Sequence, residues 1–244
     1  MAVTDHDTTL GTSEVRALAS ALGIEAVSGI EITAVENGRD VHILGYFLRE
    51  EEPALAAFLT QQRLRRIDRV KALAERLSTL GMPVDVQPLL KEAALNNGRS
   101  IGRPQVAQAM IRAGHVASIA DAFDKWLGQG RPAFVPREGP SSEAVIAVIH
   151  GADGLASLAH PGKTGIDARI PALCEAGLDA IEAHHSDHDA ALVEHYTRIA
   201  SVAGVLVTGG SDFHGDPQQQ RAPGSRTLPE QDWLALKAAS RAHA

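Results

Sequence analysis

Apolar and polar positions along this 244-residue chain fall into two alternating patterns. Between Pro53 and Leu80, the residues Leu55, Phe58, Leu59, Ile67, Val70, Leu73, Ala74 and Leu77 recur at helical spacing on one face. That spacing predicts one long helix, opened by Pro53 and stopped by Gly81. Before it, Ala26–Thr33 and Val41–Leu48 read as strands, and Asn37-Gly38 between them is a hairpin signal. Ala2-Val3-Thr4 reads as the end of a buried strand, followed by Asp5-His6-Asp7. Thr12 or Ser13 caps a predicted helix over Glu14–Leu22, which Gly23 ends.

From Gly81 to Gly130 the pattern gives only helical pieces broken by Pro and Gly, among them Gln105–Ala113 and Ile119–Leu127. Together with the long helix they predict a helical insertion over 53–130, set into a core made of 1–52 and 131–244. Alternation then resumes. Ser141 or Ser142 caps a helix to Gly151, and Leu155–Ala159, Leu178–Ala183 and Val205–Thr208 read as strands. Helices over Asp167–Ala176 and Asp189–Ala203 separate them, and a last helix starts near Pro229. Repeated strand–helix units predict an α/β fold with a parallel sheet, open or closed into a barrel. The stretch Gly215–Gly224 is expected to be a mobile loop.

Composition narrows the function. Lys plus Arg number 23 against 30 Asp plus Glu, a net charge of −7, and no basic block occurs. No stable nucleic-acid complex is expected from such a balance, although a local basic pocket can still hold a phosphate. No apolar run approaches the roughly 20 residues of a membrane span, and the N-terminus shows no signal-peptide pattern. The single cysteine, Cys174, excludes an internal disulfide and any Cys-rich zinc module, so a cytoplasmic location is expected. Eleven histidines stand against five Phe, two Trp and two Tyr.

The histidines are placed unevenly. His6, Glu31, His160, His184-His185 and Asp212-Phe213-His214 each fall at or just past the end of a predicted strand. In parallel α/β folds that edge gathers ligands and catalytic groups. Imidazoles and carboxylates without thiolate suit Mn, Zn or Fe, and one carboxylate can bridge two ions. Taken singly, each could be a solvated loop residue or a packed core histidine.

Five motifs occur in an order that resembles the polymerase and histidinol phosphatase (PHP) superfamily. They are Val3-Thr4-Asp5-His6-Asp7-Thr8, Gly29-Ile30-Glu31-Ile32, Val41-His42-Ile43-Leu44-Gly45, Ala159-His160-Pro161-Gly162 and Gly210-Ser211-Asp212-Phe213-His214-Gly215. The chain looks most like the small stand-alone phosphoesterases of that superfamily. The resemblance implies a distorted seven-stranded barrel with two or three divalent ions and a helical cap. It implies that Glu31 bridges two metals, that His42 and His160 complete one site, that Asp212 serves a second, and that His6 with His214 serves a third.

Such proteins begin with a strand bearing His-x-His, which this sequence does not contain, so the first barrel strand is expected to be missing. The pair belongs to the site of Glu31 and Asp212. One ion held tightly by Glu31, His42 and His160 is therefore the expectation, with activity reduced. Arg103 in Ile101-Gly102-Arg103-Pro104 resembles a family arginine facing the site. Lys163 and His185 resemble substrate-side positions, and Asp5, Asp7 or His185 could assist catalysis. His184 is expected to pack away from the site, and His115, His150, His195 and His243 carry no motif. The arginines from Arg63 to Arg69 are expected on a solvated helix face, or as a guide for an anionic substrate.

These features imply a metal-dependent phosphoesterase acting on phosphomonoesters of a small, nucleotide-like substrate. The alternatives are an exonuclease on short RNA, a histidinol phosphatase, or a truncated protein that only binds metal or phosphate.

Overall fold

Asn37 and Gly38 both adopt positive φ (50° and 75°), the geometry of a two-residue hairpin turn, and fold β1 (Gly29–Glu36) onto β2 (Arg39–Tyr46). The computed structural model describes residues 1–95, 100–215 and 221–243. Residues 216–220 of the loop expected at Gly215–Gly224, and the His243 side chain, lie outside the described part.

Ahead of the hairpin come residues 1–7 and α1 (Thr12–Ala21); after it comes α2 (Pro53–Thr79), 27 residues long. Then follow α3 (Gln87–Leu95), α4 (Arg103–Arg112) and α5 (Ile119–Ala122), which runs into a π-helical turn at Phe123–Leu127. The remainder is α6 (Ser142–Gly151), β3 (Leu155–Leu158), α7 (Pro161–Thr164), a 3-10 turn at Asp167–Arg169 continuing into α8 (Ile170–Glu175), and β4 (Ala180–His185). It ends with α9 (Ala190–Ala203), β5 (Leu206–Gly210) and α10 (Glu230–His243). The predicted cap at Ser141 is in place, accepting the Ala144 amide, and Asp189 accepts the Leu192 amide ahead of α9. The expected cap at Thr12 or Ser13 is not: both lie inside α1, and Gly11, which has no side chain to accept, stands ahead of it.

The sheet is mixed. Its order is β1-β2-β3-β4-β5, with β1–β2 and β2–β3 antiparallel and β3–β4 and β4–β5 parallel. The parallel half comes from the strand–helix units, as expected. The antiparallel half comes from the hairpin, because the long helical excursion after β2 returns β3 in the opposite direction. The N-terminal residues run parallel to β1 without forming a full strand. The Val27 amide donates to Met1 O, the Glu31 amide to Asp5 O and the Asp7 amide to Glu31 O. A Cβ on Gly29 would lie 2.8 Å from Val3 O, so only glycine admits this approach.

One apolar cluster lies between the sheet and α6, α8 and α9, with Ile30, Ile32, Ile43, Ile146, Ile149, Leu158 and Ile181 among its fully buried members. A second is built by the C-terminal half of α2 with α4, α5 and their neighbours, around Val70, Leu73, Leu77, Met110 and Leu127. Leu55, near the start of α2, belongs to the first cluster and Val70 to the second. The helix, about 40 Å long, therefore ties the two together. Among the described residues no helix is long and apolar enough to cross a membrane.

Candidate active site

Glu31 is the centre of the histidine cluster. It is 5% exposed, on the face of β1 that also carries Thr33, and Thr33 pairs with His42 of β2. Glu31 Oε1 lies 2.6 Å from His42 Nδ1 and 3.3 Å from His160 Nε2, and those two nitrogens are 3.2 Å apart. Glu31 Oε2 faces the other way, 3.7 Å from His6 Nδ1. Burial alone would raise the Glu31 carboxyl, but His42, His160 and His6 hold it well below the usual range. Burial drives His6 down to about 4, whereas the Glu31 carboxylate outweighs burial and raises His160.

These donors fit a divalent ion. Three ligand atoms 2.6–3.3 Å apart are spaced as around an ion with bonds of about 2.0–2.2 Å. His6 Nδ1 is a buried nitrogen with no hydrogen-bond partner, turned toward the second carboxylate oxygen. His6, Glu31 and His42 form one potential ligand group, and Glu31 has one oxygen for each side, as a bridging carboxylate requires.

Asp212, just past β5, marks the other side. Lys163 Nζ (3.2 Å) and Arg221 Nη1 (2.8 Å) donate to its Oδ2, and His214 Nδ1 lies 3.5 Å from Oδ1. Burial opposes ionisation of Asp212, yet His185, Lys163 and His214 hold its carboxyl well below the ordinary range. Lys163 and Arg221 also pair with Asp187. His185, fully buried, accepts the Asp187 amide at Nδ1 (3.0 Å), so its neutral ring carries the proton on Nε2. Nε2 has no hydrogen-bond partner and lies 3.3 Å from Asp212 Oδ2. His185, Asp187 and Asp212 also group as potential ligands, but this tautomer suits a donor to a bound anion better than a metal ligand. Ring contacts of 4.9–5.8 Å link His214, His6, His42, His160 and His185 in turn.

Beside this cluster is a basin of arginines. Asp40, two residues before His42 on the same face of β2, is ringed by Arg103 Nη2 at 3.1 Å, Arg137 Nε at 3.6 Å and Arg69 Nη1 at 3.7 Å. Arg66 donates from Nε to Asp7 Oδ2 (2.6 Å) and from Nη2 to Thr33 Oγ1 (3.0 Å). Burial and neighbouring arginines push Arg69 and Arg137 down to about 10. Burial would raise Asp40, but Arg137, Arg69 and Arg103 lower it. A cavity of about 290 Å³ opens here, lined by Asp40, Arg69, Arg103, Phe134 and Lys163 among others. Lys163 thus belongs both to the basin and to the Asp212 group. A larger depression, about 710 Å³, lies along α9 and shares only His184 with the strand-end histidines.

Asp7 is buried and engaged by the Thr33 amide (3.0 Å) and Arg66, whereas Asp5 is exposed and contributes its carbonyl to β1. His184 turns to Asp232 of α10, at 4.0 Å. Arg103 also lies over the Phe123 ring at 5.6 Å.

Arg66 and Arg69 are not on a solvated face: their side chains are 12% and 9% exposed. The signal was in the helix period, since Arg66 extends the stripe of Val70, Leu73 and Leu77 by one turn. Asp40 was legible as the strand partner of His42 two residues on. Arg137, Glu182, Arg221 and Arg226 carried no signal. Arg226 donates to the carbonyls of His185 (3.1 Å) and His188 (2.9 Å), which fixes the loop between them.

Fold and site together define a metal-dependent phosphoesterase. The chain is 32% identical over 228 residues to the 5'-3' exoribonuclease Rnm of Salmonella typhimurium, covering 88% of this chain and 74% of the relative. It is 31% identical over 229 residues to the 3',5'-nucleoside bisphosphate phosphatase of Chromobacterium violaceum, covering 92% and 80%. A solved structure from Bifidobacterium adolescentis, assigned as a metal-dependent phosphoesterase, superposes with a TM-score of 0.85 at 29% identity and covers 98% of this chain and 85% of its own. No protein-family model matches the sequence. The chain belongs to the PHP-like metal-dependent phosphoesterases and is a hydrolase.

Proposed function

We propose that this enzyme removes one phosphate from a small, nucleotide-like substrate that carries a second phosphate. The observation that supports this most is the arginine basin next to the metal ligands. Asp40 and His42 are successive residues on one strand face, about 7 Å apart, so an ester phosphate at His42 leaves a second phosphate of the same sugar within reach of Arg69, Arg103 and Lys163. The bisphosphatase activity named for the Chromobacterium violaceum relative accords with this reading.

Glu31, His42 and His160 hold one divalent ion in this reading, with His6, Asp212 and His214 as ligands of further ions. Mn, Zn or Fe suits these donors. Bound metal polarises the phosphoryl oxygens and makes a water acidic enough to attack near neutral pH. Arg103 and Lys163 bind substrate phosphate, and a phosphate is a better partner for Lys163 than two carboxylates already paired with Arg221. His185 donates a hydrogen bond from Nε2 to a phosphoryl oxygen; its neutral ring keeps that proton, and the leaving alkoxide takes its proton from water. Asp7 orients Arg66 and does not touch the ester. Asp5, being exposed, takes no part.

The five strands are read as the greater part of a seven-stranded PHP-type barrel formed by 1–52 and 131–244, with 53–130 as a cap bringing Arg66, Arg69 and Arg103 to the mouth. A reducing, cytoplasmic setting accords with the single cysteine.

A substrate panel tests the proposal. With manganese supplied, 3',5'-nucleoside bisphosphates are expected to give the highest kcat/KM, ahead of nucleoside 5'-monophosphates and histidinol phosphate. A short 5'-phosphorylated oligoribonucleotide is the strongest competitor, because its first phosphodiester would occupy the same basin and a relative is a 5'-3' exoribonuclease. Faster turnover of that oligonucleotide would assign the enzyme to RNA instead.

A further inference from the structure

His160 sits in a backbone conformation that a non-glycine residue seldom adopts, φ +29° and ψ +57°, at the turn between β3 and α7. Two acceptors from β4 and its following loop hold that turn. The His160 amide donates to Glu182 Oε2 at 2.8 Å, and the Gly162 amide donates to His188 Nε2 at 3.3 Å. His188 Nδ1 in turn donates to Ala183 O at 2.9 Å, which leaves Nε2 as the accepting nitrogen. The fit is close: a Cβ on Gly162 would lie 2.8 Å from His188 Nε2, and one on Gly210 would lie 3.4 Å from Glu182 Oε1.

Glu182 is an expensive residue for this place. It is 5% exposed, and no Lys or Arg among the described residues forms an ion pair with it. An apolar side chain of similar volume would fill the space without the desolvation penalty. What the carboxylate supplies is an acceptor for the His160 amide, and His160 Nε2 is the atom that faces Glu31 Oε1 and His42 Nδ1.

We propose that Glu182 is a positioning residue for the metal centre: by holding the His160 amide it keeps the strained turn in place and aims Nε2 at Glu31 and His42. His188 does the same for the following residue of the turn. The inference rests on the reading that His160 helps to hold a metal.

The test compares Glu182→Gln, which keeps an oxygen acceptor and drops the charge, with Glu182→Leu, which drops both. Zinc and manganese affinities are measured by titration of dialysed protein, and exchange of the His160 amide is followed in the metal-free protein. Glu182→Leu is expected to weaken metal binding by ~10–100-fold and to speed exchange of the His160 amide, whereas Glu182→Gln stays near wild type in both. Wild-type affinity in the leucine variant overturns the proposal. Equal loss in both variants also overturns it, since charge rather than the hydrogen bond would then matter. If the leucine variant does not fold, Glu182→Asp decides: it keeps the charge but withdraws the acceptor by one methylene, and unchanged affinity there overturns the proposal. His160→Ala separates the two readings, because metal binding that survives it undoes the assignment of His160 as a ligand whatever Glu182 does.

Discussion

Glu31 and His42 meet diagonally across the hairpin: Glu31 is opposite Leu44 and His42 is opposite Thr33, yet Glu31 Oε1 and His42 Nδ1 are 2.6 Å apart. A register slip of one residue would send one of these side chains to the other face of the sheet. The Asn37-Gly38 turn therefore sets the geometry of the metal centre from its far end. His160, arriving from β3, completes a set that the hairpin has already half built.

Removing the central charge is expected to empty that set. Glu31→Gln keeps size and shape but takes away the carboxylate that three imidazoles face. Metal retained after dialysis should fall far below that of wild type, and kcat/KM should drop by more than about 100-fold. Elemental analysis beside an assay checks both, and full retention would remove Glu31 from the ligand set.

Arg103→Ala is expected to act on the second phosphate. The kcat/KM for a 3',5'-bisphosphate should fall by the equivalent of ~2–4 kcal/mol, and that for a monophosphate much less. Stability should barely change, because the Arg103–Asp40 pair is only part of the ring around Asp40. Arg69→Ala should lose stability as well, since Arg69 also donates from Nε and Nη2 to Val135 O. Equal losses on both substrates would place the second phosphate elsewhere.

His150 gives a pH signature away from the metal ligands. Its Nε2 lies 2.8 Å from Asp179 Oδ2, and that hydrogen bond raises its pKa above 6.5 against partial desolvation. A raised folded pKa stabilises fully below the unfolded value and stops doing so as pH rises through the folded one. The His150 share of the stability of metal-free protein, read as the difference in urea midpoint from His150→Gln, should therefore be full below about pH 6.5 and shrink as pH rises through the raised folded value, staying below ~1 kcal/mol because the side chain is partly solvated. A difference that does not change with pH would mean the pair contributes nothing.

Two glycines predict opposite effects. A Cβ on Gly209 would lie 2.6 Å from His184 Cβ and 2.8 Å from His184 O, where β4 and β5 slip in register. Gly209→Ala should cost ~1–3 kcal/mol or more, since backbone must move. Gly151, at the end of α6, has nothing within 4 Å of the added Cβ. Gly151→Ala should stabilise by about 0.4–1 kcal/mol through the unfolded chain. Denaturant titration of both variants checks the pair.

The sequence by itself determined the elements and most of the site's inventory. Apolar period, Asn37-Gly38, the cap at Ser141 and the stops at Gly23 and Gly81 are local signals, and each acts within a few residues. His160, His185 and Asp212 were legible because they sit at or just past strand ends; His6 and Glu31 were legible from their motifs, since no full strand precedes His6 and Glu31 is the third residue of β1. Tertiary structure alone decided which of them meet. Asp40 meets Arg69, Arg103 and Arg137, and Glu182 meets the His160 amide, through pairings that no local period encodes. Arg66 and Arg69 looked solvated because a helix period shows which face is apolar, not what lies opposite its edge. Here the edge faces Asp7, Thr33 and Asp40, and buried guanidinium groups are tolerable only where such acceptors are waiting.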